Sequence, residues 1–507
     1  MSAATRTAER RWWSVAAVLA PALVARVVVG LDLANFQQLI AVVVAAGALV
    51  LVARHPAGAL GALLVLLPFQ LPLTALLYRL GVTGGVTRMA ALWKELVVLA
   101  IAVAAWRRSR EREGHLDALD RCAIAFVVLG TAYLALPALL VGGSGADLDL
   151  DTRFLAWRLV VLPSVLLLSA RRLRLAGHEV RTVVRAATAM ALLLGVGAVV
   201  EVAFSDWWNH LFVDVLGVNR YRVDVLDIDL LRLGLRPLDV RVYGEVAGHQ
   251  IVRAGGPMTS HLTFSFVLLI ALAVLLERVI RAQLSTAVVV GLAGGAVGLA
   301  CTQTRSSILG FVVLLAVVLW PSAGRSADHR ARYGLVVGAL LVVAVPLLLT
   351  SGLADRFTEG DRFSDDIHAV HVDEAVRTVE HHPLGLGLGM GSTAGGRAAK
   401  GSISVENQPL DTAVQLGLLG SALLVAQYGL LLGALGRVAR RAGPDAQLAA
   451  LAARSAMVAL LIPLWYQQAF GLLEVSWVLF ALAGAALGAA ESDADAAVEA
   501  AVAGVGA

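Results

Sequence analysis

Charge is what this chain has least of. Only 15% of its 507 residues are Asp, Glu, Lys or Arg, against 59% apolar, whereas a soluble domain carries about 25% charged residues. An ordinary soluble fold is thereby excluded. Cysteine is scarcer still. Cys122 and Cys301, the two present, both lie inside apolar runs, so neither a disulfide framework nor a zinc cluster is available. Redox chemistry is not expected, and nothing in the pattern asks for a metal or another cofactor. The net charge is small, +4. In a soluble protein a basic excess would suggest nucleic acid. Here no nucleic-acid partner is expected, because the Lys and Arg residues sit between apolar segments, where they report orientation.

What is abundant is apolar sequence in runs of roughly 18 to 25 residues, the length that crosses a bilayer as a helix. Segments 13–30, 38–53, 57–78, 89–106, 123–141, 154–170, 183–204, 259–276, 284–302, 306–320, 333–351, 410–433, 448–467 and 472–490 read as spans. The expected fold class is an all-α polytopic membrane protein of about 12–14 transmembrane helices. The run after "MSAATRTAERRWW" is too long and too Arg-marked for a cleaved signal. Basic connectors at 107–113, 171–181, 277–283, 324–332 and 436–441 all fall on one side, predicted to be cytoplasmic. The short connector with Arg79 and Arg88 is a misfit on the other.

The chain thus divides into N-terminal helices 1–204, an external loop 205–258, helices 259–351, a second external loop 352–408, helices 409–490 and an acidic, Ala-rich tail 491–507 expected to be disordered. Loops this long hold more than a turn and point to a working surface. In the first, alternation at Val223, Val225 and Ile228 suggests short strands or an amphipathic piece. In the second, Val372, Val376 and Val379 repeat at helical spacing. Ser364 or Asp365 can cap the start and Pro383 end it, so an amphipathic helix is predicted.

Ionisable residues at span ends are costly unless they face a polar cavity, which makes them functional candidates. Lys94, Glu95, Arg158, Arg253, Arg305 and Glu406 all fall at the external ends of their spans. Taken singly, each cation could simply snorkel to the headgroups. Taken together, they would suit a diphosphate held by charge-assisted contacts. Arg305, in "TQTRSSILG", sits beside free N–H groups at a helix start, which favours an anion. His261 follows the Gly255-Gly256-Pro257 turn as a polar residue of a first helical turn. The glycine-rich run 385–396 would let backbone approach a phosphate or sugar closely, but it meets no phosphate-loop spacing and reads rather as a flexible hinge. In "VENQPLDTAVQLGLLG" (405–420), Asn407 can cap the helix. Glu406 is either a complement to its dipole or a general base.

The order "RAGGPMTSH", "TQTRSSILG", a long loop with "RTVEHHPLGLGLGMG", then "ENQPLDTAVQLGLLGSALL" resembles the O-antigen ligase and Wzy-type polysaccharide polymerase superfamily. The resemblance covers roughly 251–432. It implies a membrane glycosyltransferase of a bacterial cell membrane, its site facing the periplasm or exterior. An undecaprenyl-diphosphate-linked glycan is the implied donor, and a glycan, lipid or protein hydroxyl the acceptor. The displacement is implied to be inverting and metal-independent. Two arginines of the family bind the donor diphosphate and match Arg253 and Arg305. The family's ligases carry a His followed by Asn, Ser or Gln and, nine residues later, a Gly. Here Glu406, Asn407 and Gly417 keep that spacing, with Glu in place of His. That departure makes Glu406 the base by position, with His381 or His382 as substitutes. Lys94, Arg158, His261, Arg377, His381, His382 and Asn407 complete the expected substrate-binding set.

Two other classes fit the composition. A transporter or flippase of lipid-linked sugars would show paired broken helices and internal repeats, and no repeat is evident. A scaffold with partner-binding loops is the third class, and the converging cations are the one feature that argues against it.

Overall fold

A computed structural model describes residues 46–109, 116–135, 148–230, 236–319, 362–391 and 403–505, apart from positions 53, 149, 229, 247, 248, 282 and 404, together with residues 37 and 43. In hydrocarbon an apolar run has no hydrogen-bond partner but its own backbone, so it closes into a helix. The described helices begin with α1 (Pro56–Arg79), α2 (Gly84–Ser109) and α3 (Ala118–Ala135). A bent pair follows, α4 (Leu150–Val160) and α5 (Leu162–Arg172), meeting at 45°. Pro163, which has no N–H to donate, stands at the bend. Next come α6 (Gly177–Ala203), short α7 (Val218–Asp224), and an antiparallel hairpin of β1 (Val242–Val246) and β2 (His249–Arg253). Then follow α8 (His261–Ile280), α9 (Thr286–Cys301), α10 (Arg305–Leu319), α11 (Arg362–His381), α12 (Gln408–Arg441), α13 (Pro444–Tyr466) and α14 (Leu473–Val505).

Eight described helices are long and apolar enough to cross a membrane, or nine with the bent pair counted as one. The protein is an all-α polytopic membrane protein. Eleven of the fourteen expected spans correspond to described helices, α9 and α10 being the short ones. Spans 13–30 and 333–351 lie outside the described residues, as does half of 38–53.

The core is built around α8 and α14, which are apolar and buried nearly all round. Small residues set how closely their neighbours approach. A Cβ on Gly294 of α9 would meet the Gly195 carbonyl of α6 at 2.6 Å, and one on Gly195 would meet the Gly291 carbonyl at 2.7 Å. Only glycine permits that backbone contact, the usual means of helix association where no hydrophobic drive exists.

At one end the basic connectors meet acids. Arg171 donates to Asp117 (2.7 Å), Asp120 (3.0 Å) and Glu491 (2.7 Å), Arg174 to Asp495 (2.6 Å), and Arg181 to Asp445 (3.0 Å). These pairs correct one expectation. The acidic tail is not disordered: α14 continues to Val505, because Glu491 and Asp495 find arginine partners and its alanines favour helix. Burial works to raise the Asp117 carboxyl, but the Arg171 hydrogen bond and its neighbours outweigh it and hold it below the usual range.

The opposite end holds the first long loop. Val223 lies on α7, Val225 follows its end and Ile228 lies in irregular chain, so that alternation marks no strand. The strands lie further on, at β1 and β2. Arg88, a misfit by charge, donates Nε to the Val225 carbonyl (2.5 Å), and Arg79 packs on Gly217. Both cations dock the loop. Helix α11 forms, but it begins at Arg362, so Ser364 and Asp365 lie inside it and do not cap its start, and its seam is shifted. Ala375 and Val379 are buried and Val372 is half-buried, whereas Val376 is exposed. The buried face runs through 368, 372, 375 and 379.

Candidate functional site

The site is assembled on a break in α12. Asn407 caps the helix, its Oδ1 accepting from Leu410 N (3.1 Å), and its Nδ2 donates to the Trp465 carbonyl at the end of α13 (3.2 Å). Ten residues on, Gly417 has φ +72°, a left-handed value that glycine adopts without strain. Ser421 Oγ then reaches the Pro409 carbonyl at 2.9 Å, whereas a straight helix would hold twelve residues about 18 Å apart. Helix α12 is therefore a short arm, 408–416, folded back on a long one, 418–441.

The glycine-rich segment lies across this fold. Leu386 N donates to the Val414 carbonyl (2.7 Å), Gly387 N to the Gln415 carbonyl (3.2 Å) and Leu418 N to the Pro383 carbonyl (2.9 Å). A Cβ on Gly417 would meet the Pro383 carbonyl oxygen at 2.6 Å, and one on Gly385, itself at φ +81°, the Gly417 nitrogen at 2.5 Å. The described part of the run is thus pinned and mostly buried, not a hinge. Beneath it Gln415 bridges Gly389 N (3.1 Å) and the Asp411 carboxylate (2.8 Å).

Glu406 stands at the head of the arm. Its Oε2 lies 2.6 Å from His368 Nδ1 and its Oε1 lies 3.7 Å from His371 Nδ1, both from α11. The side chains of His368 and Glu406 are 22% and 31% exposed, so the pair is reachable yet partly desolvated. Tyr466 packs its ring against that of His368, with centroids 5.8 Å apart. Gln468 donates to the Val405 carbonyl. Three elements, α11, the α12 arm and the end of α13, therefore converge on one carboxylate. An imidazole–carboxylate contact of this kind can orient either group and can hold a proton between them.

The other expected residues are distributed as follows. Arg253 donates to the carbonyls of Thr302 (2.9 Å) and Gln303 (3.2 Å) and to Thr304 Oγ1 (3.4 Å). It satisfies backbone just past the end of α9 and is joined to the residue preceding Arg305. Arg305 opens α10, half-buried. His261 is the first residue of α8, whose cap is Ser260. Lys94 is 2% exposed, on the Ala91 carbonyl (2.8 Å) and Glu95 (3.3 Å), and Arg158 shares the same Glu95 oxygen (3.1 Å). These two cations are held by one carboxylate. Arg377 is exposed and paired with Asp373 (2.8 Å). His381 bonds the Arg377 carbonyl (2.7 Å). It lies thirteen residues beyond His368, about 20 Å along the helix, so neither it nor His382 reaches Glu406. Arg377, His381 and His382 instead line an open groove of about 530 Å³ with Asp373, Glu374 and Thr378.

The sequence reading missed His368 and His371, although two histidines three apart on the apolar face of an amphipathic helix were a readable signal. It also missed Glu201, a buried carboxylate of α6 that accepts from Gly255 N (3.0 Å) and Gly256 N (2.7 Å) and so holds the turn that follows Arg253. Among the described residues no group of three His, Cys, Asp or Glu side chains is placed to hold a metal ion.

Residues 289–425 match the family model described as O-antigen ligase. The matched stretch runs from α9 into α12. It includes Arg305, Arg377, His381, His382, Glu406, Asn407 and Gly417 as well as the two histidines of α11, and leaves out Lys94, Arg158, Arg253 and His261. No curated protein matches the chain.

Proposed function

We propose, from the premise that residues 289–425 form an O-antigen ligase domain of the O-antigen ligase and Wzy superfamily, that the protein transfers a glycan from an undecaprenyl-diphosphate carrier to an acceptor hydroxyl. Transfer takes place at the membrane face opposite the Arg171 ion-pair network, the periplasm or exterior of a bacterial cell. The observation that carries this reading is the carboxylate–imidazole contact at Glu406, inside the matched stretch, at the head of an arm whose Asn407-to-Gly417 spacing is the family's.

In the reaction the acceptor oxygen attacks the anomeric carbon from the face opposite the diphosphate and inverts it. Its proton passes to the basic centre at Glu406. The carbon–oxygen bond to the diphosphate breaks, and that group leaves with the electron pair. Arg305, at the N-terminus of α10, meets the developing charge with a guanidinium and a helix dipole. Arg253 supports it by fixing residues 302–304 and reaches the diphosphate from the adjoining turn, with His261 beside it at the start of α8. Lys94 and Arg158 share Glu95, and Glu474 also acts on Lys94, so their charge is largely balanced and their part is to shape the site. The groove along α11, with Arg377, His381 and His382, takes the acceptor glycan, whose hydroxyls suit its mixed donors and carboxylates. No step in this scheme calls for a metal.

The folded-back arm is also what a transporter of lipid-linked sugars would show, and it is the one feature that favours that alternative. Turnover separates the two, since a transporter leaves the diphosphate linkage intact. Glu406→Gln tests the site: it keeps size and hydrogen bonding but removes basicity. Transfer is expected to fall roughly 10²- to 10⁴-fold with donor binding retained. Wild-type transfer by this variant would leave Glu406 as a helix-dipole complement only.

A further inference from the structure

Glu406 stands where the resembling ligases carry an imidazole, and the structure brings an imidazole to it from another element. His368 Nδ1 lies 2.6 Å from Glu406 Oε2. An ionised carboxylate can only accept, so Nδ1 carries the hydrogen, and the neutral ring is fixed as the tautomer whose Nε2 holds a lone pair. Among the described residues no protein group bonds that Nε2. The ring cannot easily turn away. It is anchored on α11 by the buried contacts of Ala375 and Val379, tilted against Tyr466 (5.8 Å between centroids, 34° between planes), and backed by a carboxylate on the capped arm.

We infer that Glu406 and His368 act as one carboxylate–imidazole unit, in which His368 Nε2 takes the acceptor's proton and Glu406 orients the ring and stabilises the imidazolium formed. The inference rests on the glycosyl-transfer reading and assigns the proton within it. Chemistry favours imidazole over carboxylate. A hydroxyl proton is better accepted near neutral pH by a base of ordinary pKa about 6.5 than by one of about 4.3. The step balances: the O–H bond breaks toward Nε2, the oxygen bonds the anomeric carbon, and the diphosphate departs with the electrons of the broken bond. His371 Nδ1, 3.7 Å from the other carboxylate oxygen, faces the same group without a hydrogen bond to it.

Four variants of the full chain, Glu406→Gln among them, assayed in native membranes with undecaprenyl-diphosphate glycan, test this. His368→Phe keeps a ring against Tyr466 but has no nitrogen. His368→Asn places an amide N–H close to the position of Nδ1, so it still holds Glu406, but offers no base. If His368 takes the proton, both lose kcat roughly 10²- to 10⁴-fold at unchanged donor KM. The pair His368→Phe with Glu406→Gln is then no worse than the poorer single change, as for residues that act as a unit. The groups facing His368 and its carboxylate partner are Glu406, His371 and Tyr466. Full activity in His368→Asn with loss in His368→Phe would reduce His368 to an orienting role and overturn the inference. So would wild-type rates in both beside an inactive Glu406→Gln, which leaves the transferase reading standing. If Glu406→Gln and both His368 variants all keep wild-type rates, the site itself is wrong.

Discussion

At the scale of single residues, what could be read locally was read, and what needed distance was not. Asn407 as cap and Glu406 beside it follow from adjacency in the chain, because capping is a rule about the next few residues. His368 is 38 positions away from its partner, and no spacing rule connects a loop helix to an arm across a glycine-rich turn. Arg253 shows the converse: its charge was legible, its work on the Thr302 and Gln303 carbonyls was not. Arg253→Ala is accordingly expected to cost about 1.5–3 kcal/mol through those lost charge-assisted bonds, seen as a lower melting temperature. Arg305→Lys should leave stability near wild type but impair turnover, since an ammonium cannot reproduce the planar fork. Near-normal turnover in Arg305→Lys would point to a simple snorkelling cation. Asp239, in the first loop, offers a test by pH. Burial works to raise its carboxyl, but Arg241 (2.9 Å) and Tyr243 (2.6 Å) outweigh that and hold it low. Stability from this cluster is then present above the unfolded value, about 3.9, and is lost as pH falls through the lower folded one. Hydrogen exchange at 236–246 should show protection retained at pH 5 and fading only below pH 4.

Elements were legible wherever one period dominated. Apolar length located the spans, and helical spacing located α11, though Val376 was assigned to a seam that runs through Ala375. That error is physical: valine marked the pattern while alanine, small enough to let α11 sit close to the arm, makes the contact. Gly417 was found by spacing alone, with no reason attached. The reason is the chain reversal and the backbone of Pro383–Gly385 passing within van der Waals contact of it. Gly417→Ala should therefore cost roughly 1–2 kcal/mol for the left-handed backbone alone. The overlap with the Pro383 oxygen adds to this, so melting temperature and transfer fall together while α8 and α14 keep their helix signal. Unchanged stability would mean that the arm does not fold back. Gly294→Leu, a wedge between α6 and α9, should lower stability without that selective effect on the site.

For the whole molecule, the alternation of basic connectors gives an expected orientation, because charge bias is a global property that survives errors in single boundaries. It did not give the ion-pair network that draws the acidic tail into α14. Exposed aromatics mark both ends, Phe204, Trp207, Trp465 and Tyr466 at the site end and Trp106 at the other, as a belt at two interfaces requires. Cysteines placed at exposed Leu238 and Val370 should react with an impermeant reagent in intact cells, and one at Val498 only after lysis. The reverse pattern would put the site on the cytoplasmic face. The most direct measurement is simpler: the purified protein is incubated with undecaprenyl-diphosphate-linked glycan and an acceptor-bearing membrane fraction, and free undecaprenyl diphosphate is quantified over time. A glycosyltransferase releases it in step with glycan transfer, and Glu406→Gln releases it roughly 10²- to 10⁴-fold more slowly. Intact carrier after prolonged incubation with well-folded wild-type protein would contradict a transferase and leave the transporter reading in its place.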